Sequence, residues 1–579
     1  MSRFNLVDED WLPVLEKDSG KTKMVSLRTL FQEAHHYESL AGDNKTQDFA
    51  LMRFLLSILQ TVYSRLDAGG NSYPSLDLDN RYKPRGEGAW DQEKRNKKLQ
   101  ETWNDLWKRG HFTSSINKYL DAWKGRFYLF DDDYPFFQVQ KEDIGRDRIN
   151  KEKAGSISGK NINRLISESA NKIALFSPKS EEGGNKEILR ADEIARWLIT
   201  FQAYTGLSDK VIFGKEKYKA SKGWLFDLGG IYLEGDNLFE SLMLNLVLVH
   251  PEAQYQGKEE KPCWEYTSEE NLKKYFSGNF VDNLAALYTN WSRAIYIDPE
   301  TDVEKPFSFD IVKLPELNHG NQFLELMTLW RYNDTGENKG LFTPRKHAKN
   351  KSFWRSFGLI AFSNKEPGSE NKQPGIIEHF QNLRLPGEEE KEGGPLEGLE
   401  KSHKNKDIRI QAVSMEDDGN ATSWVPVDEI CDDLRINPYI FKDDKYRDRL
   451  KRIADLAERT QTAVSKTYKI YLRDVEKICN LPAGSFSNQK LEETYFLLDN
   501  PFKAWIASIE PKGSMLKKEK EWDDFLKSFL REEADKISHA YTPKKHRGVR
   551  VEDKGTSEGE RTLNISTAYN SFIYFLNRI

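Results

Sequence analysis

Between residues 46 and 63, Leu51, Leu55, Ile58, Leu59 and Val62 recur at helical spacing, and this broad apolar stripe predicts a core helix. The same period returns in ADEIARWLITFQAYTG at Ile194, Trp197, Leu198 and Phe201, with Asp192 and Glu193 in the favourable first turn and Gly206 as a stop. A long loop follows, LSDKVIFGKEKYKASKG. WLFDLGGIYLEG then predicts a strand interrupted by a glycine pair, and Asn237 with Glu240 predicts a cap opening the apolar helix LFESLMLNLVLV, ended by His250-Pro251. Upstream, Phe4 to Val14 predicts a short strand and turn, Trp103, Trp107 and Tyr119 fall on helical segments, and Phe127 to Val139 predicts an aromatic strand pair. Downstream, Leu284 to Asp298, Phe323 to Tyr332 and Ile408 to Val427 alternate like strands.

After Pro438 the period lengthens. Tyr446 to Leu481 reads as one long helix stopped by Pro482, and Leu491 to Ile509, Trp522 to His539 and Leu563 to Ile579 supply three more. The expected fold is α+β: a large mixed N-terminal domain with small sheets and helices (1–437), followed by an all-α four-helix bundle (438–579). Between the periodic segments, Gly69 to Asn96 reads as a loop, and Glu366 to Lys406 as a charged, solvent-facing insertion. Lys141 to Lys160 and Ser177 to Asn185 are polar enough to predict mobile stretches.

A chain of 579 residues exceeds one ordinary core, in keeping with two domains. A formal charge of -5 excludes a protein coated by nucleic acid on every face and confines any such contact to local basic patches. Three scattered cysteines fit a reducing compartment, and the sequence shows neither a signal-like N-terminus nor a membrane-length apolar run. A cytoplasmic protein with no membrane association is expected.

Candidate chemistry is narrow. Lys210, Lys215, Lys217, Lys219 and Lys222 crowd the long loop against only Asp209 and Glu216, with Tyr218 among them and Gly206, Gly214 and Gly223 as punctuation. Such a loop is either a solvated excursion or a backbone-flexible surface for phosphates. RKHAKNKSFWR holds Arg345, Lys346, Lys349, Lys351 and Arg355 without an acid, and Lys544, Lys545, His546, Arg547 and Arg550 mark the last loop as either a phosphate contact or a solvated tip. Asp131, Asp132 and Asp133 form a solvated turn or, as the rival reading, a metal site for a nuclease. GSISGKN has too few residues between its glycines, and no Ser or Thr after Lys160, for a phosphate loop. No HExxH occurs. Binding without catalysis, cofactor or metal is the expectation.

The runs FQAYTG, SKGWL and LGGIYLEGDNLFESLMLNL, with FNLVDEDWLPV, YPFFQ at Tyr134 to Gln138 and NKIALF at Asn171 to Phe176, resemble the CasA family, the large subunit of the type I-E CRISPR Cascade surveillance complex. The resemblance implies a non-catalytic subunit of an RNA-guided antiviral complex. Such a subunit recognises the protospacer-adjacent motif in target double-stranded DNA, aids duplex opening and recruits a helicase-nuclease, with guide RNA-bearing Cascade subunits as partners. It places a glycine loop at Thr205, Gly206 and Leu207, and a contacting loop at Phe176, Ser177 and Lys179, where Phe176 either stacks near the motif or joins the core. It also implies a basic finger at Arg293 and a wedge near Asn420 and Ala421. One glycine followed by Leu207 and Ser208 departs from the family's glycine-rich form, which leaves the preferred motif open. Lys210, Lys215, Lys217 and Lys219 are the expected phosphate contacts. The rival readings are a metal-dependent nuclease and a purely structural assembly subunit.

Overall fold

The computed structural model describes residues 3–74, 76–86, 91–159, 162, 187–206, 210–219, 222–278, 281–363, 370–383, 407–419, 426–442, 447–511, 513–540, 547–552 and 560–579. Two compact units are present. One takes in Met1–His347, Ser363–Gly398 and Ile410–Cys431, the other Ala348–Phe362, Leu399–Arg409 and Asp432–Ile579. The second unit therefore holds the C-terminal helices and also draws on earlier chain, for a physical reason: Trp354 is fully buried and stacks on Phe502 with ring centroids 4.2 Å apart.

In the first unit the order is β1 (Leu12–Glu16), β2 (Thr22–Val25), α1 (Leu27–Glu33), β3 (Tyr37–Leu40), α2 (Lys45–Tyr63), α3 (Gln92–Arg109), α4 (Ser115–Trp123), β4 (Gly155–Ser158) and α5 (Ala191–Tyr204). It continues with β5 (Gly230–Glu234), α6 (Leu238–Asn245), α7 (Ser268–Phe276), α8 (Leu284–Tyr288), β6 (Arg293–Tyr296), β7 (Ser308–Lys313), β8 (Trp330–Tyr332) and β9 (Phe342–Pro344). Two long strands, β10 (Ile408–Asp417) and β11 (Pro426–Ile436), follow. The small sheets run β2-β1-β3, β4-β7-β6, β8-β9 and β11-β10-β5.

The predicted core helix is α2, capped by Asn44, whose side chain accepts from Gln47 N at 2.8 Å. It is buried on every face rather than along one stripe, so even its polar residues need partners inside. Arg53 is one of them. Its guanidinium meets Glu325 through two 2.8 Å hydrogen bonds and lies 4.3 Å from the Tyr288 ring centroid. Glu325 also accepts from Trp224 Nε1 at 2.6 Å and Met327 N at 2.8 Å. Burial alone would raise the Glu325 pKa, but the Arg53 charge and these donors outweigh it and hold the carboxyl below its ordinary value. Just beyond the helix, Arg65 pairs with Glu265 at 2.7 Å, and Tyr119 Oη donates to the same carboxylate at 2.7 Å.

Glu260 lies nearby, accepting from Gln60 Nε2 at 3.2 Å and Ala285 N at 2.8 Å. Burial pushes its pKa up to about 7. The unfolded chain ionises this group near its ordinary value while the folded chain keeps its proton, so folding loses stability as pH climbs from that value to about 7. Glu260→Gln is expected to lift that penalty. The fall in urea midpoint between pH 5 and pH 8 should shrink by the equivalent of about 2–3 kcal/mol. An unchanged pH dependence would show that Glu260 does not carry it.

Several predicted elements change type. Phe127 to Val139 forms no strand pair; Phe127, Phe136 and Phe137 turn inward, with Phe127 and Phe136 rings stacked at 5.5 Å, while the backbone bonds to separate segments, Leu6 N donating to Phe127 O at 2.9 Å and Val139 N to Ile295 O at 2.8 Å. Leu284 to Asp298 splits into α8 and β6, because Asn283 accepts from Ala286 N at 2.9 Å and starts a helix. Of Phe323 to Tyr332 only β8 is strand. Lys141 to Lys160, expected to be mobile, contains β4, paired antiparallel with β7 through Gly155↔Ile311 to Ser158↔Ser308. GSIS is thus sheet, not a phosphate loop. The expected loop Gly69 to Asn96 gives way to α3 from Gln92, where Asp91 accepts from Lys94 N at 3.1 Å. Finally α6 stops at Asn245, before His250-Pro251, because the Asn245 amide turns to the β5 backbone and both donates to Leu233 O and accepts from Leu233 N.

The second unit, among its described residues, is built on four helical rods. Arg447–Thr462 and Lys469–Cys479 run on through a π-helical turn, Ala463–Tyr468, as one rod. Asn480 closes it in the left-handed conformation at φ 52°, two residues before Pro482. The other rods are Ser485–Ala507, Met515–His539 and Ile565–Leu576. Tyr468, Leu472, Leu498, Phe502, Trp522, Leu530 and Phe572 are buried between them. No helix of the described residues is long and apolar enough to cross a membrane.

Candidate nucleic-acid interface

The lysine loop begins where α5 ends. Thr205 N donates to Phe201 O at 3.0 Å, closing the helix, and the chain enters the loop through Gly206. Gln202, in the last turn, ties α5 to β6: its Oε1 accepts from Ser292 N at 2.8 Å and Arg293 N at 3.0 Å, and its Nε2 donates to Arg293 O at 2.9 Å. Arg293 then reaches back. Its guanidinium donates to Gly206 O and to Ser292 O, and the whole side chain is fully buried.

This arrangement corrects three expectations. Arg293 is not a finger offered to a groove; it is an internal tie on the loop root, because a buried guanidinium takes the nearest unpaired carbonyls. Thr205 and Gly206 are buried as well, so neither presents an edge to solvent here. Leu207, Phe176, Ser177, Lys179, Asn420 and Ala421 lie outside the described residues.

From Lys210 to Lys219 the loop is pinned on both sides. Asn150 N donates to Ile212 O at 3.0 Å, Ile212 N to Asn150 Oδ1 at 3.0 Å, and Gly214 N to Arg148 O at 2.8 Å. On the opposite side Lys313 N donates to Val211 O at 3.0 Å and Glu316 N to Lys219 O at 2.8 Å. Tyr218 closes the loop on itself: its hydroxyl accepts from Phe213 N at 3.0 Å and donates to Lys313 O at 2.6 Å. Phe276, at the end of α7, packs edge-on against both Phe213 and Tyr218.

Val211 and Phe213 therefore face inward, while Lys210, Lys215, Lys217 and Lys219 stand exposed. Lys219 is paired with Glu316 at 2.9 Å, which raises its pKa. Among the described residues no carboxylate pairs with Lys210, Lys215 or Lys217. Gly214 turns the tip at φ 63°, a conformation that side chains disfavour. The loop is pinned along its backbone while its lysines stand in solvent. The pinning groups Arg148, Asn150, Lys313 and Phe276 escaped sequence reasoning because their contacts are far apart in the chain.

The signature glycines serve close packing. A β-carbon on Gly223 would overlap the Ala203 carbonyl at the end of α5, and Gly223 N donates to Thr205 O at 2.9 Å. One on Gly229 would overlap the Arg345 carbonyl. The basic run RKHAKNKSFWR is largely spoken for: Lys346 pairs with Asp417 at 2.7 Å, and Arg355, in the second unit, packs 3.7 Å from the Tyr495 ring centroid. Lys222 likewise pairs with Asp227 at 2.6 Å.

The acidic trio forms a turn whose first member is buried. Asp131 accepts from Asp133 N and Tyr134 N, each at 2.9 Å, and pairs with Arg3, while Asp132 and Asp133 face solvent. Among the described residues no group of His, Cys, Asp and Glu is arranged to hold a metal ion.

Comparison with known proteins places this architecture. A CRISPR-associated protein CasA/Cse1 from Thermus thermophilus is 26% identical over 415 residues, 69% of this chain and 66% of that relative's length. The crystal structure of Thermobifida fusca Cse1 superposes with a TM-score of 0.73 at 22% identity, covering 99% of this chain and 98% of that one. A chain from a CRISPR RNA-guided surveillance complex does so with a TM-score of 0.66 at 15% identity, covering 99% of each. The family model for CRISPR-associated protein Cse1 matches residues 5–532, and on that extent the chain belongs to the Cse1 family.

Proposed function

We propose that this chain is the large, non-catalytic subunit of an RNA-guided surveillance complex, and that its pinned lysine platform lies along the phosphate backbone of target duplex DNA beside the protospacer-adjacent motif. Family membership and the fold shared with a chain of a CRISPR RNA-guided surveillance complex support the assembly. The platform itself carries the DNA reading. In a chain of net charge -5, three exposed lysines without carboxylate partners among the described residues are held out by an aromatic-backed loop. Ordering the loop in advance lowers the entropy lost on binding, and point charges on phosphates position the duplex without reading it. Motif recognition, aid to strand opening and recruitment of a helicase-nuclease complete this reading. Asn420, Ala421, Phe176, Ser177, Lys179 and Leu207 are its proposed groove-side contacts, with the guide-bearing subunits holding the duplex in place.

The test is alanine substitution of Lys210, Lys215, Lys217 and Lys219 in the assembled complex, with binding measured against a duplex library randomised beside the guide-matched site. Affinity should fall evenly across all adjacent sequences, and the slope of log K against log salt should flatten by about 3. Lys219→Ala alone should contribute least, because Glu316 already neutralises that ammonium. Unchanged affinity and slope would remove the loop from the interface.

A further inference from the structure

We propose that a second, separate anion site lies between α7 and α8, where Lys261, Lys274, Tyr275 and Trp291 converge on a phosphate group. The pocket is lined by these four with Cys263, Tyr266, Asn271 and Thr289, and no carboxylate is among its described lining residues. Both ammonium groups crowd one aromatic ring: Lys274 Nζ lies 2.8 Å and Lys261 Nζ 3.8 Å from the Tyr266 centroid. Neither lysine has an ion-pair partner among the described residues.

Three of the surrounding acids act on them through space but are engaged elsewhere. Glu265 is held by Arg65, Glu270 accepts from Thr267 N at 2.7 Å, and Asp282 sits 3.9 Å from Lys258. Glu259 acts on Lys261 through space, while Lys83 adds a third positive charge. Burial, then the neighbouring Lys261, pulls the Lys274 pKa down to about 8. Two half-buried cations without a counter-ion are costly unless an anion joins them.

The neutral groups of the wall point the same way. Trp291 is 4% exposed, and its buried Nε1 has only the Cys263 thiol, a weak acceptor, beside it. Tyr275 Oη accepts from Trp291 N at 2.5 Å, which leaves its own proton to donate. The Asn271 amide is already spent on Cys263 O at 2.9 Å. A tetrahedral oxyanion would satisfy both lysines, the phenol and the indole together. The phosphate can come from a nucleic-acid backbone or from a free phosphate. This site does not depend on the lysine platform, although Phe276 links the end of α7 to it.

Reductive methylation of the full chain at pH 8, read lysine by lysine, tests the site in the unaltered protein. Lys274 is expected among the fastest to label, being about half neutral at that pH. Inorganic phosphate at ionic strength matched with chloride should slow Lys274 and Lys261 by about tenfold while leaving Lys215 and Lys217 unchanged. Protection by both phosphate and a short duplex would assign the site to the phosphate group from either source; protection by the duplex alone would assign it to nucleic acid. Protection by neither overturns the proposal. Lys274→Arg should keep the phosphate effect on Lys261 and Lys274→Gln should abolish it, and equal behaviour of the two variants would also overturn it. Loss of DNA binding on substituting Lys215 and Lys217, with phosphate protection intact, would keep the two sites distinct.

Discussion

Glu325→Ala is expected to destabilise the first unit by about 3–5 kcal/mol, among the largest single effects in the chain, because it removes one half of a buried ion pair. Arg53 is 2% exposed, and its counter-charge would vanish with no route to water. Two further donors, Trp224 Nε1 and Met327 N, would lose their acceptor in the same step, each unsatisfied group adding to the cost. The asymmetry supplies the control. Replacing both partners with apolar residues of similar volume, Arg53→Met with Glu325→Leu, should cost less than either single change to alanine, since no lone charge is left inside. Urea denaturation of the single and double variants decides it. If Glu325→Ala costs less than about 1 kcal/mol, the pair contributes no more than an exposed one.

Gly223→Ala is expected to weaken DNA binding without removing a single positive charge. Its β-carbon would overlap the Ala203 carbonyl, a backbone atom fixed in the last turn of α5, so the loop root must shift. Overpacking of this kind costs about 1–3 kcal/mol and here strains the Gly223 N to Thr205 O bond that closes the loop's exit. Amide exchange over Lys210 to Lys219 should accelerate, and duplex affinity of the complex should drop several-fold through the ordering cost now left for binding. Gly214→Ala is the informative comparison. Gly214 adopts φ 63°, yet a β-carbon there would meet nothing within 4 Å. It should therefore cost about 1–2 kcal/mol of local backbone strain and leave both roots of the loop in place. Unaltered exchange in Gly223→Ala would show that the exit bond does not order the platform.

Local pattern was enough for the helices whose faces differ in polarity. Residues 46–63, 191–204 and the four C-terminal rods announced themselves by period, caps and stops, because those signals act over a few residues. Segments with apolar residues on every side were ambiguous. Leu284 to Asp298 reads equally as strand or helix until Asn283 is seen capping Ala286 N, and the aromatics of Phe127 to Val139 serve ring packing as readily as a strand. The two compact units draw on interleaved stretches, with Trp354 joining the helical unit from nearly a hundred residues upstream of the main bundle, which no local pattern signals.

For the site, the sequence by itself determined the charges and their spacing: lysines at 210, 215, 217 and 219, a tyrosine between them, and glycines at the loop's two ends and tip. It also carried the motifs that mark the family. Which of those residues face water was decided by tertiary structure alone. Arg293 and Gly206 are indistinguishable in sequence from surface groups, and only the return of β6 beside the end of α5 turns one into an internal donor and the other into its acceptor. Lys219 and Lys217 differ by two positions, yet Glu316 neutralises the first and leaves the second unpaired among the described residues. A buried charge and a pinned loop are both products of contacts made across long stretches of chain, and such contacts leave no periodic trace in the order of the amino acids.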